Sequence, residues 1–318
     1  MFKPPLISIC IPTYNRPGGL RIVLESIVLQ EDFNEEIEVL VIDDASSINT
    51  REVARPFYEK FKNIQYLENK TNLGFEKNIL KLLKTFGGQY FFFLSDDDQL
   101  LPGALTKIKK SIRTHPDCTV FSSGYEQVSE KQEKTVSYRI FEESKLISRK
   151  QIKNIVKLYS DAHVFSRILL RRDVIDINGF KRHIGSMYPH MYVLGKAALT
   201  GKAFYTSDFL VKHTVENEVF WKYKDDYMIK GQIKMIKDLA RIDERFYKEA
   251  FPVVVIRPIP YISYHAFRRG PQVFARLILA LFAIPEIGCN PLVWFKIGAQ
   301  MIIQSSAKFL DISPLLLF

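Results

Sequence analysis

The sequence predicts an α/β protein built on a parallel sheet covered by helices. Three observations predict it. Apolar, β-prone runs alternate with segments whose apolar residues recur at helical spacing, and the connections are short. The strand-like runs are continuously apolar, as in strands buried on both faces. Three of these runs end abruptly in polar clusters, at Thr13 to Arg16, Asp43-Asp44 and Asp96 to Asp98. In open parallel sheets ligands bind beyond the carboxyl ends of the strands.

The elements follow in order. Leu6 to Ile11 is a buried strand closed by Pro12, with a loop over Pro12 to Pro17. Leu20 to Leu29 is a helix, since Leu20, Val23, Leu24, Ile27 and Val28 share a face. Ile37 to Ile42 is a second buried strand. Ser46-Ser47 followed by Glu52 starts a helix that runs to about Phe61. Ile64 to Leu67 is a short strand, Asn72-Leu73-Gly74 a turn, and Glu76 to Phe86 a helix capped by Gly87-Gly88. Tyr90 to Leu94 is the next strand, Pro102 to His115 a helix and Thr119 to Ser122 a strand. Glu126 to Lys150 is polar and reads as a hairpin or loop. Gln151 to Tyr159 is helical, Val164 to Arg171 a strand, and Asn178-Gly179 a turn. Met187 to Leu199 is a helix with Pro189 near its start, where proline is tolerated. Ala203 to Val211 is a strand, and residues 225 to 250 form a charged helix with Ile229, Ile233, Ile236 and Leu239 on one face.

The stretch Phe91-Phe92-Phe93-Leu94-Ser95-Asp96-Asp97-Asp98 carries the most chemistry. Three adjacent carboxylates repel one another, and a bound Mg²⁺ or Mn²⁺ relieves that repulsion with hard oxygen ligands. A solvated acidic turn before Pro102 is the alternative. The gathering of three polar clusters at strand ends favours a ligand site.

The chain has 318 residues, 47% of them hydrophobic, enough for a full core and against disorder. Its net charge of +10 implies an anionic partner. Nucleic acid fits poorly, because the cations are scattered and the strand ends are acidic. Cys10, Cys118 and Cys289 lie far apart with no zinc spacing, which suggests a reduced, cytosolic chain. The N-terminus has no signal-peptide h-region. The most apolar run, Leu277 to Ile284, is too short to span a bilayer. From Phe251 onward, apolar segments are mixed with Arg257, Arg268, Arg269, Arg276, Lys296 and Lys308, against only Glu286 and Asp311. This reads as amphipathic helices with a basic rim, suited to an anionic membrane surface. A helical cap or a homodimer face is the alternative.

Four motifs in order resemble family 2 glycosyltransferases with the GT-A fold, over about residues 5 to 215. They are Ile9-Cys10-Ile11-Pro12-Thr13-Tyr14-Asn15-Arg16, Val41-Ile42-Asp43-Asp44-Ala45-Ser46, Asn72-Leu73-Gly74 with Lys77-Asn78, and Phe93 to Pro102. The resemblance implies a Rossmann-like mixed sheet over residues 1–215, and the spacing and composition beyond it make residues 216–318 a mostly helical C-terminal extension. It implies a nucleotide-diphosphate sugar donor and a divalent metal, Mn²⁺ or Mg²⁺. It sets Pro12, Thr13, Tyr14 and Arg16 against the nucleotide, with Asn72 and Gly74 nearby. Asp44 matches the family aspartate that holds the base, and a helix N-cap is its alternative role. Lys77 matches a basic position near the base or phosphates.

The usual strand end is Leu-Asp-x-Asp-Asp, and here the first aspartate is Ser95. Ser95 or Asp96 then takes the ribose. The resemblance offers Asp96, Asp97 and Asp98 as metal candidates, with Asp97 and Asp98 better matched by distance from Pro102. His213 resembles a late histidine that reaches the metal or diphosphate. The family's Glu-Asp pair at the start of a helix is missing, and His190 stands at about the place of the general base. A free imidazole titrates near 6.5 and could accept a proton from a sugar hydroxyl. Asp161 and His163 are fallbacks. No Gln-x-x-Arg-Trp motif occurs, which argues against a processive synthase. The pattern is similar to O-antigen and capsule transferases, abequosyltransferase-like members included. The expected activity is metal-assisted, inverting transfer to a saccharide acceptor carried on a polyprenyl lipid. The expected location is peripheral, on the cytoplasmic face of the plasma membrane. A non-catalytic nucleotide-sugar-binding or scaffold protein of the same fold is the alternative.

Overall fold

A computed structural model describes residues 4–129, 135–215 and 225–299, apart from residues 260, 261, 264, 265, 267–269 and 292. The first half is the parallel sheet that the apolar runs predict. Strands β1 (Ile7–Thr13) and β2 (Ile37–Asp43) are buried along their whole length. They pair in parallel with each other, with β3 (Ile64–Glu68) beside β2 and β4 (Tyr90–Phe93) beside β1. Helices α1 (Pro17–Val28), α2 (Thr50–Lys60) and α3 (Phe75–Thr85) are the crossovers. The register aligns the polar ends: Thr13 lies opposite Asp43, and Asp43 opposite Glu68. That alignment converts three separate sequence clusters into one edge.

The second half departs from a purely parallel sheet. After α4 (Ala104–Thr114), β6 (Val120–Ser129) is reached, and β9 (Leu169–Arg171) lies between β4 and β6, antiparallel to both. The long strand β10 (Lys202–Val215) runs parallel to β6. Three short strands pair antiparallel at the rim: β5 (Gln99–Leu100) and β8 (Lys145–Ser148) on β10, and β7 (Thr135–Tyr138) on β6. The central order is β3-β2-β1-β4-β9-β6-β10-β5.

Two expectations are corrected here. The strand expected over Val164 to Arg171 shrinks to β9, because the 164–168 segment turns at the end of β4, where the Ile168 amide donates to the Phe165 carbonyl. The Asn178-Gly179 turn is instead inside helix α6 (Ile177–Arg182). Asp176 caps that helix, its carboxylate accepting from the Gly179 amide at 2.7 Å. Gly179 is required by close packing, since a Cβ there would stand 2.1 Å from the Tyr192 ring.

Two hydrophobic clusters flank the sheet. One joins α1 and α4 to the sheet. The other holds α3, α5 (Ile152–Ser160), α6 and α7 (Pro189–Thr200). Helices α8 (Asp225–Ala240) and α9 (Glu244–Ala250) belong to this second cluster. Ile236, Leu239 and Phe246 are fully buried. Phe246 meets Tyr159 edge-to-face, and the Tyr159 hydroxyl donates to Gln232 Oε1 at 2.9 Å. The boundary expected at 215/216 therefore crosses a continuous core. Beyond a π-helical turn (Phe251–Ile256) lie α10 (Pro271–Phe282) and α11 (Pro285–Gly288). Arg268, Arg269, Lys308 and Asp311 are outside the described residues. Among the described residues no helix is long and apolar enough to cross a membrane.

Candidate active site

The polar strand ends open onto one cleft of about 420 Å³. Pro12, Thr13, Tyr14, Arg16, Asp44, Asn72, Gly74, Ser95, Asp96 and Asp97 line it. Phe75 and Asn78 join them. Lys77 does not: it is exposed on α3 and outside the lining. Lys81, one turn further on, points its ammonium at Asn69 Oδ1, 2.6 Å away.

Asp44 organises one wall. Its carboxylate accepts from the amides of Leu73 and Gly74, each at 2.8 Å, and from Asn69 Nδ2 at 2.7 Å. Asp44 thus holds the Asn72-Leu73-Gly74 turn and does not cap a helix. Gly74 has φ 83°, a conformation that costs other residues a steric penalty. Asn78 braces the same network, its Nδ2 donating to the Ile42 carbonyl at 2.9 Å and its Oδ1 accepting from Asn69. The loops after β1 and β2 are tied to each other. The Asn15 amide donates to Ser46 Oγ and the Ser47 amide to Asn15 Oδ1, both at 2.8 Å. Asn15 and Ala45 both take positive φ, 54° and 61°, strain of the kind that over-determined binding loops retain.

The carboxylate run divides into three separate environments. Asp96 is buried, and burial pushes its carboxyl up to about 7, more than Arg16 and the Tyr14 amide pull it down. Asp97 is one-quarter exposed, and Arg16 Nη1 donates to its Oδ2 at 2.5 Å. Asp98 is turned away from the cleft lining. Its Oδ1 meets His213 Nδ1 and the Thr214 amide, both at 3.0 Å. The register explains this pairing: Leu100 faces Val211 and Gln99 faces Lys212, so the next pair along is Asp98 with His213. Burial raises the Asp98 carboxyl, while for His213 the pull of Asp98 overcomes burial and holds the imidazole above its usual range.

His190 is not where a base would be. It is 1% exposed, Nε2 lies 3.0 Å from the Ala162 carbonyl, and the ring packs against Phe93, Phe165 and Tyr188. Burial drives its pKa down to about 4. The expected base role is corrected on this ground: the imidazole faces an aromatic core, outside the cleft lining. Asp161 is ion-paired with the buried Arg167, and His163 is exposed beside it.

Glu76, in the first turn of α3, is a further residue beside the cleft, and its sequence position marks only a helix start. Its two carboxylate oxygens accept from the amides of Gly185 and Met187 at 2.7 and 2.8 Å. It thereby ties helix α3 to the turn entering α7, where Met187 has φ 74°. Glu76→Ala leaves two amides without acceptors and should cost about 1–3 kcal/mol, with Glu76→Gln losing less. Urea denaturation checks this, and an unchanged midpoint for the alanine variant would refute the clamp.

The sequence profile of "Glycosyl transferase family 2" matches residues 8–177, more than half of the chain. The chain belongs to glycosyl transferase family 2. Among curated relatives of this family 2 glycosyltransferase, abequosyltransferase RfbV of Salmonella typhimurium is 29% identical over 201 residues, 59% of this chain and 60% of that protein. A Campylobacter jejuni GalNAc(5)-diNAcBac-PP-undecaprenol beta-1,3-glucosyltransferase is 35% identical over 105 residues, 33% of each. The aligned part thus spans less than two thirds of either relative. Among solved structures, S. aureus TarS 1-349 in complex with UDP-GlcNAc aligns with TM-score 0.63 at 15% identity, covering 97% of this chain and 93% of that one. The mannosyltransferase PcManGT of Pyrobaculum calidifontis, in complex with GDP-Man and Mn²⁺, aligns with TM-score 0.57 at 16% identity, covering 98% and 89%. The fold is GT-A.

The glycosyltransferase's four expected metal ligands do not gather around one point. Among the described residues no three His, Cys, Asp or Glu side chains are arranged to hold a metal ion. Asp96 and Asp97 line the cleft, whereas Asp98 and His213 satisfy each other. Two cleft carboxylates, one of them partly exposed, suit a cation that takes most of its ligands from substrate phosphates and water, as Mg²⁺ does.

Proposed function

We propose that this glycosyltransferase moves a sugar from a nucleotide-diphosphate donor to a saccharide acceptor carried on a polyprenyl lipid. It would act at the cytoplasmic membrane face, in O-antigen or capsule-type polysaccharide synthesis. The observation that carries the reading is the single cleft onto which three strand ends and the Asp96-Asp97 carboxylates open. The relatives support the substrate classes: TarS was solved with UDP-GlcNAc, and the Campylobacter relative is named for an undecaprenyl diphosphate acceptor.

In this reading the Asp44-held turn and the Pro12–Tyr14 loop enclose the nucleotide, and Asp96 or Ser95 meets the ribose. Asp97 would hold Mn²⁺ or Mg²⁺, with Asp96 beside it. The PcManGT complex with Mn²⁺ supports that cofactor class. Such a cation supplies charge neutralisation at the departing diphosphate. Arg16, already 2.5 Å from Asp97, adds a second positive charge on the same side. The acceptor hydroxyl oxygen would attack the anomeric carbon from the opposite side as the carbon–oxygen bond to the diphosphate breaks, its proton passing to water in the open cleft and the electron pair leaving with the nucleoside diphosphate, so that the configuration inverts. Asp98 and His213 join the end of β4 to β10, and His190 supports the cleft from beneath Phe93 and Phe165.

A thermal-shift screen of nucleotide sugars differing in base, with and without Mn²⁺, tests the proposal. One base class should raise the melting temperature by several degrees at saturating ligand, and only with metal present. No shift with any donor would refute it. A shift with no sugar transfer or donor hydrolysis would favour a non-catalytic binding protein, the reading that the missing Glu-Asp pair keeps open.

A further inference from the structure

The C-terminal helices carry a surface that the donor cleft does not use. On α10 the exposed positions Gln272, Ala275, Arg276, Leu279 and Phe282 recur at spacings of three and four, so they form one face. Leu279 is 70% exposed, Phe282 55% and Phe295 73%. The opposite faces are packed, with Leu277, Leu281, Val293 and Ile297 buried. The Phe282 ring stacks on Trp294 with centroids 3.9 Å apart, which brings the α10 face beside the segment that carries Phe295. Large apolar side chains gathered in this way mark an interaction surface.

Charge identifies the partner. Arg276 and Lys296 are exposed next to these apolar side chains. Between residues 251 and 299 the sole acid is Glu286, and it is ion-paired with Lys237. The face is therefore apolar with a basic margin, the combination that seats on anionic lipid. A symmetric pairing of two copies through this face would set the same cations of two chains, each of net charge +10, against one another.

We infer that the face formed by Leu279, Phe282 and Phe295, with Arg276 and Lys296, docks on an anionic phospholipid surface. The apolar side chains enter the boundary between headgroups and acyl chains, and the two cations meet lipid phosphates. This deepens the membrane placement proposed above by naming the surface, and it is separable from the transfer chemistry because none of these residues lines the cleft.

The test is vesicle flotation of the full chain, with phosphatidylcholine alone or with about a third phosphatidylglycerol, at low and high salt. The wild type should float with the anionic vesicles and be released by salt. Leu279→Asp/Phe295→Asp should abolish flotation. Arg276→Glu/Lys296→Glu should weaken it by about thirtyfold or more, at roughly a kcal/mol-scale contribution per cation. Both variants should keep the wild-type melting temperature and metal-dependent nucleotide binding. Failure of nucleotide binding in every protein would count against the glycosyltransferase reading alone. Equal binding to both vesicle types, or wild-type flotation by the first variant, overturns the inference. So does a wild-type dimer that the first variant dissolves without any vesicle binding, or vesicle binding that appears only after residues 300–318 are removed.

Discussion

Asp97→Ala should lower turnover by about 10³-fold or more while leaving the fold intact. The reason is the division of labour among the three carboxylates. Asp96 is buried and Asp98 is spent on His213 and the Thr214 amide, so the proposed cation ligand is Asp97, which lines the cleft one-quarter exposed with Arg16 on one of its oxygens. In the proposed mechanism its removal would take away several kcal/mol of stabilisation where the leaving diphosphate gains charge, and about 4 kcal/mol corresponds to 10³ in rate. The structural cost is small by comparison. The side chain is one-quarter exposed and its partner is the partly exposed Arg16, a kind of pair worth about 0–1 kcal/mol. The measurements are donor turnover, Mn²⁺-dependent nucleotide binding by calorimetry and the melting temperature. Wild-type turnover in Asp97→Ala would remove the metal assignment. Metal-independent nucleotide binding, equal in both proteins, would do the same.

His190→Gln should change how stability depends on pH. The His190 pKa is depressed to about 4 by burial, against about 6.5 in an unfolded chain. Between these values the unfolded state binds the extra proton, so the wild type loses stability as pH falls from about 6.5 and stops losing it below about 4. At pH 7 both states are neutral and the histidine contributes no pH-linked term. Glutamine does not titrate and retains a donor for the Ala162 carbonyl. The stability difference between wild type and His190→Gln should therefore shift by about 3 kcal/mol toward the variant between pH 7 and pH 4. Because it is a difference, other titrating groups such as Asp96 cancel. Parallel stability curves for the two proteins would mean that His190 is solvated or charged, and would reopen its role as a base.

His190 also marks how far local sequence can be read. A histidine at the start of a predicted helix looks accessible in one dimension. Its burial comes from Phe93, Phe165 and the Ala162 carbonyl, which are brought there by β4 and by the segment before β9. The division of the Asp96–Asp98 run has the same origin. Adjacent residues have nearly identical local signals, yet Asp98 is claimed by a histidine 115 positions away through the pairing of β5 with β10. Glu76 is a third case, since its ligands are backbone amides more than a hundred residues on and leave no trace in side-chain type.

The parallel first half and the cleft at its strand ends were legible because each depends on local pattern, while ten of the residues lining that cleft were named through the family resemblance. Continuous apolar runs specify strands buried on both faces, helical spacing specifies the crossovers, and a parallel sheet must then deliver its polar strand ends to one edge. The family motifs lie in that same half, and the match over residues 8–177 follows them. Tertiary structure alone decided the antiparallel insertion of β9, the partner of each carboxylate, the burial of His190 and the merging of the C-terminal helices into the main core. These depend on which remote surfaces meet, and periodicity along a chain carries the type of an element but not the identity of its neighbour.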